Sequence, residues 1–100
     1  VNEISRLSHI FSTQPYLYHW RTNGGAEVDL ILEKDGQLFP IEFKCKTSVT
    51  KRDAQGIGAF RKTYENHHKI GLGLIVYAGD HFIALSENVY ALPWHWVVRR

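Results

Sequence analysis

Glu27-Val28-Asp29-Leu30-Ile31-Leu32-Glu33-Lys34-Asp35-Gly36-Gln37-Leu38-Phe39-Pro40-Ile41-Glu42-Phe43-Lys44 is the stretch on which the reading of this chain turns. Two apolar runs flank Asp35-Gly36. That dipeptide between alternating apolar residues is a strong short-range signal for a β-hairpin. Side chains alternate faces along a strand. Glu27, Asp29 and Ile31 are therefore expected on one face of the first strand, and Val28, Leu30 and Leu32 on the other. On the second strand Glu42 and Lys44 share a face, and Ile41, Phe43 and Cys45 take the opposite one. With Asp35 and Gly36 as the two central turn residues, Asp29 falls opposite Glu42 and Glu27 opposite Lys44. A four-residue loop gives the same register, whereas a three-residue loop breaks it.

Two carboxylates directly opposite each other repel and weaken a sheet. The pair is tolerated when a cation lies between the acids or when one acid is protonated. Oxygen ligands suit a hard cation such as magnesium. A lysine beside them can neutralise charge that develops on a phosphate. The bland alternative is a solvated charged face with a Glu27–Lys44 cross-strand pair, worth at most ~1 kcal/mol.

Working outward, composition sets the bounds. One hundred residues fit one domain. Apolar content of 44% and charged content of 22% are ordinary for a globular chain. A single cysteine excludes an internal disulfide framework and fits a reducing, cytoplasmic home. No apolar run approaches the ~20 residues of a membrane span. The net charge of +2 is compatible with a nucleic-acid surface without demanding one.

Residues 1–11 read as a helix, with Ile4, Leu7 and Phe11 on one stripe. No N-cap precedes it, and the chain starts at Val1, so a longer protein is expected upstream. Pro15 ends that helix. Residues 16–21 read as an aromatic-rich strand. Tyr16, Tyr18 and Trp20 share a face that could stack on bases, although packing on a sheet face is the commoner use of such a row. Asn23-Gly24-Gly25 is a turn, not a phosphate-cradling loop, because no helix follows it. Thr50 and Asp53 resemble a capping box opening a second helix, whose stripe is Ile57, Phe60 and Tyr64. Gly56 and Gly58 each cost roughly 1 kcal/mol inside a helix, so they imply close packing or a later helix start. Residues 69–77 read as one strand buried on both faces. Residues 81–85 follow as another strand, 89–92 as a short edge strand, and 94–98 as a short helix or apolar tail. A mixed sheet with helices packed on it satisfies this order.

Glu27-x-Asp29 followed by Glu42-x-Lys44, on a hairpin between two helices, resembles the PD-(D/E)XK nuclease superfamily. More closely, Trp20-Arg21-Thr22, Glu27-Val28-Asp29, Ile41-Glu42-Phe43-Lys44, Ala59-Phe60 and Leu92-Pro93 resemble a domain of unknown function found at the C-terminus of prokaryotic AAA-type ATPases. The resemblance implies an α/β, restriction-endonuclease-like mixed sheet in the order α-β-β-β-α-β-β, spanning residues 1–100 as one domain. It implies Asp29 and Glu42 as metal ligands, with the Phe43 backbone carbonyl as a further ligand and Glu27 as an additional candidate. It implies Lys44 as the group that steadies the attacked phosphate. The implied cofactor is Mg²⁺ or Mn²⁺, and the implied partners are DNA and an ATPase module in the same chain. Two departures stand out. Val28 replaces the usual proline before the aspartate, and of the first helix only Glu3 offers an acid.

Around this motif the basic residues Lys44, Lys46, Lys51 and Arg52 outnumber the one acid, Glu42, over residues 40–52. Lys46, Lys51 and Arg52 are the candidate phosphate contacts, with a plain lysine-rich loop as the competing reading. His67 and His68 are adjacent and would point about 100° apart on a helix, so they do not share one ion. Cys45 is expected as a buried small hydrophobe, and Gln55 as a solvent-facing helix residue. The expectation for function is a Mg-dependent DNA phosphodiesterase domain. The alternative is a catalytically inactive DNA-binding, regulatory or protein-interaction module, the last drawing on the aromatic row and Trp94-His95-Trp96.

Overall fold

Asp35 and Gly36 both adopt left-handed backbone angles, with φ of 53° and 79°. These are the angles that a two-residue hairpin turn twisted like its strands requires. The computed structural model describes residues 16–97 of the chain. The turn joins β2 (Glu27–Lys34) to β3 (Gln37–Lys44). Their antiparallel pairing runs from Lys34↔Gln37 to Leu30↔Ile41, in the expected register. The helix expected over residues 1–11, with Glu3, lies outside the described residues.

Strand β1 (Tyr16–Arg21) pairs antiparallel with β2. The register slips between Tyr18↔Ile31 and Trp20↔Val28, so Asp29 and Leu30 together oppose His19. This is a β-bulge, and it corrects the expected faces of β2. Val28 does not join Leu30 and Leu32. It packs with Ile31 in one core cluster, while Leu30 and Leu32 belong to the other.

After β3 the chain makes a 3₁₀ turn (Lys51–Ala54) and then helix α1 (Gln55–Tyr64), a later helix start than the capping signal marks. Asp53 accepts the Thr50 N–H through its side chain at 2.8 Å, as a capping acid should. Beyond α1 the expected single strand is two. Strand β4 (Lys69–Ile70) and strand β5 (Gly73–Tyr77) both lie parallel to β3 and are separated by Gly71 and Leu72. Pro40, which has no backbone donor, sits in β3 at the gap between these two parallel pairings, where a ladder bond is not called for. All five residues of β5 are buried, as the near-continuous apolar run implied.

Strand β6 (Ile83–Ser86) and strand β7 (Val89–Pro93) complete the sheet, and helix α2 (Trp94–Val97) follows. The strand order is β1-β2-β3-β5-β7-β6, with β4 beside β3. Strand β7 is thus interior, between β5 and β6, and not the expected edge. The described chain is a mixed α/β arrangement of seven strands and two short helices with a 3₁₀ turn. One face of the sheet buries Val28, Ile31, Ile75, Tyr77 and Ala91 under Ile57 and Phe60 of α1. The other gathers Leu32, Phe39, Ile41, Leu74, Val76 and Leu92. Cys45 lies past the end of β3 and is exposed, not buried.

Candidate functional site

At the end of the hairpin opposite its turn, β3 carries Glu42 and Lys44 on the face that α1 covers. Gly56 in the first turn of α1 lies directly above them. A Cβ at that position would come within 2.7 Å of Glu42 Oε2, and closer still to the Glu27 carbonyl oxygen. A glycine in the helix is therefore what lets α1 close over this end of the sheet, which resolves one of the two glycines expected to signal close packing. Gly58 has open space beside it.

Burial under α1 leaves Glu42 6% exposed, the one charged residue among the buried described ones. Its Oε1 lies 3.5 Å from the Lys44 ammonium. Its Oε2 has no hydrogen-bond partner among the described residues. Burying a carboxylate with one oxygen unsatisfied is costly, and such an atom calls for an explanation. The carboxyl pKa is raised above the ordinary range, first by burial and further by Asp29 and Glu27, with Lys44 pulling the other way.

Glu42 and Lys44 line a cleft of about 490 Å³. One wall is the β1–β2 turn, Gly24, Gly25 and Ala26, with Glu27; the other is Arg52, Asp53, Gln55 and Gly56. The turn is held by Thr22, whose N–H donates to the Ala26 carbonyl at 2.8 Å and whose hydroxyl accepts the Ala26 N–H at 3.2 Å. Gln55 is exposed, as expected, but stands on the cleft wall.

The structure brings some expected site residues together and separates others. Glu42, Lys44, Glu27 and Arg52 share the cleft. Glu27 also meets Arg21 at 3.3 Å, an ion pair to β1 in place of the Glu27–Lys44 pair that the bland alternative supposed. Asp29 is not among the cleft-lining residues. Its Oδ2 instead accepts the Phe43 N–H at 2.9 Å, just past the point where the β2–β3 backbone pairing stops. Lys46 forms an ion pair with Asp53 at 2.8 Å. That contact, with the Thr50 N–H, holds the Asp53 carboxyl below its ordinary range despite partial burial. Lys51 is exposed at the start of the 3₁₀ turn. The Phe43 side chain points away from the cleft and is half exposed.

Among the described residues no three or more His, Cys, Asp and Glu side chains converge in a ready metal cage. His67 and His68 are exposed, and His68 rests its ring against Tyr64 at 5.8 Å. Trp20 packs edge-on against Phe60 at 5.3 Å and donates its indole N–H to the Tyr64 hydroxyl at 3.2 Å, so the described part of the aromatic row is used for packing on α1. Sequence reasoning missed Asp53 as a cleft residue and the Gly24–Gly25 turn as a wall. For these residues the sequence signals were Gly56 early in α1 and the Thr50–Asp53 capping pattern.

Comparison with known proteins adds membership and little chemistry. A family model described as a domain of unknown function, DUF4143, matches residues 1–97. Two curated relatives, the uncharacterized protein Rv2008c of Mycobacterium tuberculosis and the uncharacterized protein Mb2031c of Mycobacterium bovis, are each 31% identical over 90 residues. The match covers 90% of this chain and 19% of each relative, so the chain spans about a fifth of their length. No solved structure matches significantly.

Proposed function

The chain belongs to the DUF4143 family, and from that premise we propose that it is a PD-(D/E)XK-type module whose cleft acts on DNA phosphodiesters with Mg²⁺ or Mn²⁺. One observation carries the proposal. Glu42 Oε2 is a buried carboxylate oxygen without a partner among the described residues, at the wall of a cleft that also holds Lys44 and Arg52. A cation would supply the missing partner. Magnesium is commonly bound by only one or two carboxylates plus waters and substrate phosphate, so a full cage is not required. Glu42 and Glu27 would hold the ion, with Asp29 at the adjoining strand end. When bound, the ion polarises a phosphate oxygen and lowers the pKa of a coordinated water.

The chain's own residues have definable tasks. Lys44, tethered to Glu42 Oε1, places an ammonium where negative charge on a phosphate would grow. Arg52 adds a second cation on the cleft wall. Gly56 lets α1 close over Glu42 and Glu27 by contributing no side chain. A hairpin of antiparallel strands continued by parallel β5 and β7 supports a restriction-endonuclease-like sheet, and the greater length of the relatives supports a place within a longer protein such as an ATPase.

The second reading, a DNA-binding or regulatory module without catalysis, draws on Asp29. Its carboxylate is engaged by the Phe43 N–H and stands outside the cleft lining. Incubating the full-length protein with plasmid and with single-stranded DNA, with Mg²⁺ and with EDTA, separates the two. Metal-dependent cleavage that Glu42→Gln and Lys44→Ala both abolish supports the first. Salt-dependent binding by wild type with no cleavage of either DNA sinks it in favour of the second.

A further inference from the structure

Strand β3 presents its last residues to opposite faces. Glu42 and Lys44 face α1, and Phe43 faces the other way with 50% exposure. At the start of α2, Trp94 is equally exposed, at 51%. Both residues line an open groove of about 300 Å³, together with Val76 and Ala78. Only three large hydrophobic residues among the described ones are exposed, and this groove takes two of them. Lys44 lines both this groove and the Glu42 cleft, so the two meet at the end of β3.

We propose that this groove receives an unpaired nucleobase of a single strand whose neighbouring phosphate lies in the Glu42–Lys44 cleft. The inference rests on the phosphodiester reading of that cleft and adds the substrate class, a single-stranded or frayed end. Charge decides the occupant. The groove lining contains one cation, Lys44, and no acid. On the cleft side Arg52 stands with Glu27, Glu42 and Asp53, of which Asp53 is paired with Lys46 and the two glutamates are those that would hold the ion. A flat apolar group covalently joined to an anion fits that pattern, and an acidic or purely apolar segment fits only half of it. Exposed aromatic faces give bases a sequence-tolerant stacking platform. A base held in a duplex must first be unstacked and unpaired, at a cost in free energy, before it can reach the far face of the sheet, and an unpaired base avoids that cost.

The test is fluorescence anisotropy with the full-length protein in EDTA, so that binding is read without cleavage. Three labelled probes are compared: a short oligothymidylate, an abasic strand with the same number of phosphates, and a blunt duplex. The oligothymidylate is expected to bind about tenfold or more tightly than the abasic strand. Phe43→Ala and Trp94→Ala should each reduce that preference about five-fold or more, and leave abasic binding unchanged. Trp94→Phe should retain most of it, and thermal melts of all three variants establish that they are folded. Equal wild-type affinity for the base-bearing and abasic strands overturns the groove assignment, as does a preference that survives both alanine variants. Abasic or duplex binding without base preference overturns the groove alone and leaves the cleft reading standing. Failure of all three probes to bind, both in EDTA and with Ca²⁺ in its place, overturns both.

Discussion

The two ends of the β2–β3 hairpin obey different rules. At the turn end, Asp35 and Gly36 take left-handed angles and the backbone pairs regularly from Lys34↔Gln37 onward. At the other end β2 carries a bulge at Asp29 and Leu30, and the pairing with β3 stops at Leu30↔Ile41. A side chain then replaces the backbone, as Asp29 takes the Phe43 N–H. One residue earlier, Glu42 is buried with an oxygen that has no partner among the described residues. Where strands pair fully, backbone groups satisfy one another and leave no room. Where they part, polar groups must be satisfied individually, and the space that opens becomes a cleft. Local inconsistency of this sort concentrates at functional sites.

Gly56 offers the hardest way to break the open end. Gly56→Ala puts a methyl group against the Glu27 carbonyl and within 2.7 Å of Glu42 Oε2. Overpacking of this kind should destabilise by about 1–3 kcal/mol in urea denaturation. Asp29→Ala should cost less, about 0.5–1.5 kcal/mol, the worth of one hydrogen bond to Phe43 N–H. Gly58→Ala, two residues along the same helix, meets nothing within 4 Å. It should stabilise by about 0.5–1 kcal/mol, so opposite signs at Gly56 and Gly58 would confirm that α1 closes on the site through one residue.

The smallest effect is a slope in stability against pH. Glu42 has a raised carboxyl pKa, so its contribution is greatest below the ordinary carboxylate range and is lost as pH rises through the raised value. Asp53 has the opposite sign. Its carboxyl is held low by Lys46, so its contribution is present at neutral pH and is lost as pH falls through the lowered value. Thermal melts from acid to neutral pH should therefore show Glu42→Gln gaining on wild type as pH rises, and Asp53→Asn falling behind.

The turn end was legible because a dipeptide and an alternating pattern determine it. The shared face of Glu42 and Lys44 was legible for the same reason, since β3 is regular to its end. The bulge was not. Asp29 and Leu30 differ in no local way from a regular alternation, and the slip is set by the partner strand β1. This is why Val28 changed faces, while the Asp29 carboxylate takes the Phe43 N–H outside the cleft lining. Cys45 was misplaced because its apolar character extended the pattern one residue past the strand. Strand β7 looked like an edge because it is short. Only long-range pairing of Val89–Pro93 with both β5 and β6 makes it interior. Gly71 and Leu72 split the third apolar run, whose near-continuous hydrophobicity read as one strand.

Calorimetric titration of Mn²⁺ into the full-length protein at neutral pH tests the central claim, that the buried Glu42 oxygen awaits a cation. The account predicts binding of one or two ions, weakening as pH falls through the raised Glu42 range, and abolished by Glu42→Gln. Absence of binding to the wild type, or binding that Glu42→Gln leaves intact, would contradict it.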